Sequence, residues 1–144
     1  MKYGINSLAW ISPFTTEHIG LLKKVKDMGF DVFEMSAEDP YNLDAKTIKR
    51  AAREVGIDVP IGGAFGPKRD MSSEDADIRQ AGINHAKRVI DMAHELESGY
   101  VMGPMYSAVG KARQTAPQEK AEQVSGPRKT SGYALNMPRA GAYG

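Results

Sequence analysis

The sequence contains no cysteine, which excludes a disulfide scaffold, a thiolate zinc site and a cysteine nucleophile. An excess of either charge is also missing. Nineteen Lys and Arg against eighteen Asp and Glu leave a formal net charge of +1, which argues against a strongly basic nucleic-acid binder and an acidic tail protein. No apolar run approaches the roughly 20 residues of a membrane helix, and the N-terminus lacks the apolar core of a signal peptide. A soluble, cytoplasmic chain with no membrane or nucleic-acid partner is therefore expected. What is present is 144 residues, 41% hydrophobic and 26% charged. That length suits one domain with a core and is too short for two ordinary ones.

The first 107 residues alternate β-type runs with helical patterns. Residues 3–10 (YGINSLAW) read as a first strand. Thr15 or Thr16 then caps a helix with Ile19, Leu22, Val25 and Met28 near one face, and Gly29 is placed to end it. Residues 31–36 (DVFEMS) form a second strand. Asp44 caps the next helix, with Leu43 and Ile48 spaced as a hydrophobic staple and Gly56 as its stop. The strings GFDV at 29–32 and GIDV at 56–59 repeat the same helix stop, apolar lock and strand. Ser72 or Ser73 opens a third helix, acidic in its first turns, whose stripe is Ile78, Gly82, Ala86, Val89, Ala93 and Leu96. Residues 100–106 supply a fourth strand. Such alternation implies a parallel sheet with right-handed crossovers, either doubly wound or half of a (β/α)8 barrel.

The last stretch differs. Residues 115–118 (TAPQ) begin a fourth helix, but residues 124–127 (VSGP) stop it. Residues 124–144 hold four Gly, two Pro and three Lys or Arg with no acid, leaving residues 1–123 at −2. An irregular tail is expected there, unrelated to the fold through truncation or a shifted reading frame.

In parallel α/β folds ligands meet the C-terminal ends of the strands. Alternation in DVFEMS puts Val32, Glu34 and Ser36 on one side, and Phe33 and Met35 on the other. With the second side against helices, Glu34 points into a barrel interior or sheet crevice. A carboxylate there takes a partner, a metal or a raised pKa; a structural bond to neighbouring strands is the plainer alternative. Residues 62–66 (GGAFG) lack bulk and can approach a ligand closely, but they are not a dinucleotide fingerprint. Lys68 and Arg69 beside them form either an anion contact or a solvated pair. His85 and His94 fall on opposite sides of one helix and His18 lies outside the sheet, so the histidines read as surface or rim residues with no metal-ligand spacing. Met105 and Tyr106, after Pro104, suit the apolar face of a small sugar.

These motifs resemble the N-terminal half of the D-tagatose/D-allulose 3-epimerase branch of the xylose isomerase-like barrels. The match rests on MKYGI at 1–5 with Trp10, GFDVFE at 29–34 and GAF at 63–65 leading to RDMSSED at 69–75. RQAG at 79–82 and GPMYS at 103–107 complete it. It covers about residues 1–123. The resemblance implies a partial (β/α)8 barrel of about four parallel strands with three to four helices. It also implies a Mn²⁺- or Mg²⁺-dependent isomerase that epimerises a ketose at C3 by carboxylate proton transfer. By position, Asn6, Phe14, Glu34, Gly63, Ala64 and Met105 would be substrate-binding. The family often has an aromatic where Asn6 stands. Its metal ligands and both catalytic glutamates lie in the second half of a barrel of about 250 residues, so no catalytic residue and no metal ligand is assigned to this chain. It is expected to be inactive alone. A small flavodoxin-like binding domain and a half-barrel homodimer are the alternative expectations, and endonuclease IV-like DNA repair is disfavoured by the missing multi-histidine pattern.

Overall fold

The computed structural model describes residues 1–111, and the fold below is the compact unit Met1–Val109. The fourth helix and the tail expected beyond residue 111 lie outside the described residues. Glycine at the helix stops and acids at the helix starts set the rhythm of the unit. Strand β1 (Gly4–Asn6) leads through short 3-10 turns to helix α1 (Gly20–Asp27), then strand β2 (Val32–Ser36). Helix α2 (Ala45–Val55), strand β3 (Ile61–Gly62), helix α3 (Ala76–Glu95) and strand β4 (Val101–Met102) follow. No described helix is long and apolar enough to cross a membrane.

The caps explain the boundaries. Gly29 (φ +93°) and Gly56 (φ +72°) take the left-handed conformation that stops α1 and α2, a geometry that costs glycine least. The Asp44 carboxylate accepts the Thr47 amide at 3.0 Å, and Leu43 and Ile48 of the staple are both buried. Helix α3 starts later than Ser72 or Ser73. The Asp70 carboxylate takes both the Ser72 amide and its hydroxyl in a local turn, so Asp75 becomes the cap, accepting from Asp77 and Ile78. Such local side-chain bonds compete with the helix ladder. Strand β1 is shorter than residues 3–10 for the same reason, because Asn6 Oδ1 accepts the Leu8 amide at 2.8 Å and turns the chain. Strand β4 stops at Met102, ahead of Gly103 at φ +128°. A Cβ on Gly103 would fall onto the Gly63 carbonyl, so only glycine fits this crossing.

The four strands pair in parallel in the order β1-β2-β3-β4. A doubly wound sheet such as a flavodoxin places a later strand on the far side of the first and covers both faces. Here each crossover steps the same way, the progression of a (β/α)8 barrel. The flavodoxin-like alternative is thereby corrected. Phe33, Met35 and Ile61 point from the sheet into a core shared with Leu22, Val25, Ile48, Val89 and Met92, all fully buried. Each such side chain contributes roughly 1.5–3 kcal/mol. The other face carries Val32 and Glu34, both half-buried, and no helix covers it among the described residues.

Candidate functional site

Glu34 projects from β2 onto the open face. A Cβ built on Gly62 would lie 2.7 Å from its Oε1, so the bare backbone of β3 is what makes room for the carboxylate. Neither a hydrogen-bond donor nor a cation meets Glu34 among the described residues. The plainer reading, a carboxylate bonded to neighbouring strands, is not what these residues show.

One strand over, Asn6 faces Ser36. Its Oδ1 accepts the Ser36 hydroxyl at 3.0 Å and the Leu8 amide at 2.8 Å, while Ser7 Oγ accepts the Ser36 amide at 3.0 Å. These bonds tie the C-terminal ends of β1 and β2 together. Asn6 Nδ2 has no acceptor among the described residues, leaving its two N–H donors for a ligand.

Gly63 and Met105 meet on the other side of β3. A Cβ on Gly63 would strike Met105 Sδ at 2.6 Å and approach Val89 of α3 at 3.8 Å. Gly63 is therefore a seat for a thioether, and Ala64 beside it is half-buried. Phe14 is the sequence-derived pocket residue that the structure places elsewhere. It is 2% exposed, its ring 5.6 Å from that of Phe33, on the helix-facing side of the sheet. Its apolar bulk is used in the core.

His85, expected at the surface or rim, lies in the interior. It is 3% exposed, edge-on to Phe65 at 5.5 Å. Burial, helped by the positive charge of Arg69 and opposed by Asp39, pushes its pKa down to about 4. Its position three after Gly82 and four before Val89 is the signal that marks it as interior. Gly82 lets the loop lie directly on α3: a Cβ there would meet Arg69 O at 3.0 Å and Met71 Cγ at 2.9 Å. Arg69 Nε and His85 Nε2 are buried without a hydrogen-bond partner among the described residues. Of the other histidines, His94 is exposed. His18 is half-buried, and its Nδ1 accepts the Thr15 amide at 3.1 Å to start the first helical segment.

A groove of about 800 Å³ runs along the open face and round the N-terminal ends of the strands, lined among others by Asn6, Val32, Glu34, Asp58, Tyr100 and Met102. Lys2 binds Asp58 at 2.6 Å near its mouth, and this bond raises the lysine pKa. Glu97 pairs with Lys49 and Arg53, which hold its carboxyl below the usual range. The ligand end of a parallel sheet is the opposite one. The groove's wide N-terminal end is therefore the exposed floor of an interior, and the residues facing a ligand are those near Asn6, Ser36 and Gly63. No group of three or more His, Asp or Glu side chains is placed to share an ion among the described residues. Glu34 alone does not fit a divalent metal.

Residues 22–127 match the model of the xylose isomerase-like TIM barrel family. The chain is 32% identical over 117 residues to a ketose 3-epimerase of Arthrobacter globiformis, covering 81% of this chain and 40% of that protein. It is 27% identical over 110 residues to a D-psicose 3-epimerase of Agrobacterium fabrum, covering 74% and 38%. The solved D-allulose 3-epimerase of Methylomonas sp. in complex with D-allulose overlays with a TM-score of 0.75 at 21% identity, over 86% of this chain and 44% of that one. The chain thus spans less than half the length of the proteins it matches.

Proposed function

On the premise that the chain belongs to the xylose isomerase-like TIM barrel family, we propose that residues 1–111 are the pocket-shaping part of a ketose 3-epimerase. The observation that carries this reading is the bare Glu34 carboxylate over Gly62 on the uncovered face. Its distance from any described donor leaves both oxygens for sugar hydroxyls, and charge-assisted bonds of this kind are the strong ones. Asn6 Nδ2 adds a neutral donor from the next strand. Met105, seated on Gly63, offers an apolar contact at the same end of the sheet.

Inverting a carbon by proton exchange requires a base on one face of the sugar and an acid on the other. One wall of four strands supplies a carboxylate to one face only. The second proton-transfer group, and the ligands of the Mn²⁺ or Mg²⁺ that the family resemblance implies, belong to structure beyond these residues. The reaction of the 144-residue chain alone is therefore binding without turnover.

Titration of D-fructose and D-tagatose into the purified chain, followed by calorimetry and by product analysis with added Mn²⁺, tests this. The expected result is weak ketose binding, weakened about tenfold by Glu34→Gln, the worth of roughly one charged hydrogen bond, and no epimerised product. Turnover, or binding indifferent to Glu34→Gln, contradicts it.

A further inference from the structure

Arg69 and His85 each bury one nitrogen, Nε and Nε2, without a hydrogen-bond partner among the described residues. Orphaned buried polar atoms are rare in native folds and mark a place for a water or an ion. We infer that the loop after β3 holds an oxyanion site, in which Arg69 and His85, with Lys68 at the rim, bind a phosphoryl group.

The loop builds the site. The turn Pro67–Arg69 follows the C-terminal end of β3, the end where a parallel sheet meets its ligands. Bare Gly82 lets the Arg69 backbone rest on α3. His85 lies one turn further along that helix, its ring held edge-on by Phe65. Arg69 is half-buried and Lys68 is exposed. Both orphaned nitrogens belong to the helix-covered side and are already buried there, whereas further strands of a barrel join at the sheet edges.

Three observations select an anion. The first is missing counter-charge. Among the described residues, the side chains of Lys68 and Arg69 form no hydrogen bond and no ion pair, while Lys2, Lys49, Arg53 and Arg88 each hold an acid. The second is that the acids at hand are engaged. Asp39, whose charge reaches His85, accepts Asn42 Nδ2 at 2.6 Å and the Tyr41 amide at 3.3 Å. Asp70 accepts the Ser72 amide and hydroxyl. The third is the charge on His85. Burial and the Arg69 cation together hold the imidazole neutral. A water would bond to both nitrogens but leave that cation uncompensated beside the ring; an oxyanion answers both needs. The Nε–H and Nη–H groups of a guanidinium offer paired donors to phosphoryl oxygens, and a neutral imidazole protonated at Nε2 adds a third.

None of these side chains belongs to the set that faces the ketose in the proposed function, so the two readings fail separately. The test is an NMR titration of the full 144-residue chain with inorganic phosphate at pH 7 and fixed ionic strength. It follows the His85 ring and the Arg69 Nε–H signal. Saturable shifts with a Kd of about 1 mM are expected, the worth of two charged hydrogen bonds. Bound phosphate raises the His85 pKa by about one unit or more, because it offsets Arg69. Arg69→Gln weakens binding about tenfold or more, and His85→Phe, which keeps an aromatic ring against Phe65, weakens it about threefold or more. D-fructose 6-phosphate separates the sources. Binding equal to that of inorganic phosphate assigns the site to the free ion, and tighter binding assigns it to a phosphorylated ligand; either satisfies the inference. No saturable shift, an equal response to chloride, binding indifferent to Arg69→Gln, or a long-lived water at His85 in the presence of phosphate overturns it.

Discussion

The helix-covered face of the sheet and its open face are built from the same strands under opposite rules. On the covered face Phe33, Met35 and Ile61 are fully buried against apolar side chains from three helices. On the open face the same strands carry Val32 and Glu34, with glycine at 62. The covered side specifies the fold. The open side spends little on stability, and that leaves its carboxylate available for a ligand. Period-two alternation in a single strand is enough to separate the two tasks.

The comparison breaks if both faces answer substitution alike. Phe33→Ala removes a fully buried ring and is expected to cost about 3–5 kcal/mol in denaturant unfolding. Glu34→Gln is expected to fall within about 0.5 kcal/mol of the parent. Equal losses would mean that the open face is packed.

His85 gives the next largest effect. Its folded pKa of about 4 lies below the ordinary 6.5, so as the pH falls the unfolded chain takes the proton first. Stability is therefore lost between about pH 6.5 and about 4, and not further below. The full loss is on the order of 3 kcal/mol. His85→Leu should flatten that interval of the stability profile, whereas an unchanged slope would show that the loop on α3 opens before the histidine is protonated. Asp44 and Glu97, whose pKa values are lowered by Thr47 and by Lys49 with Arg53, also lose stabilisation in acid. Their contribution remains in the variant.

The smallest effect is at a helix end. Asp75→Ala removes the acceptor of two α3 amides and should cost about 1 kcal/mol. A similar loss from Ser73→Ala would place the start of α3 earlier than Asp75.

Much of the covered side could be read from the sequence, because its signals are local. The left-handed glycines 29 and 56, the Asp44 cap with its staple, and the alternation around Glu34 each depend on residues within one or two turns. The ends of β1 and α3 differ through local side-chain bonds, and the other differences come from contacts across the fold. Asn6 and Ser7 bond to Ser36, 29 or 30 residues away, and this joins the ends of β1 and β2. Phe14 was expected in the pocket by its position in the resemblance, but it packs on Phe33 in the core. His85 was judged by its angle to His94, when its spacing from Gly82 and Val89 was the better guide. At the candidate site, the need for bulk-free residues after β3 was legible. That Gly62 makes room for Glu34 while Gly63 seats Met105 was not, since both depend on strand register.

The central claim is that four parallel strands advance in one direction and leave one face without a helix among the described residues. Interstrand NOEs in the isotope-labelled chain test it most directly. The account predicts connectivities for Ile5 with Phe33, Met35 with Ile61, and Ile61 with Val101. Contacts joining β1 directly to β3 would contradict it.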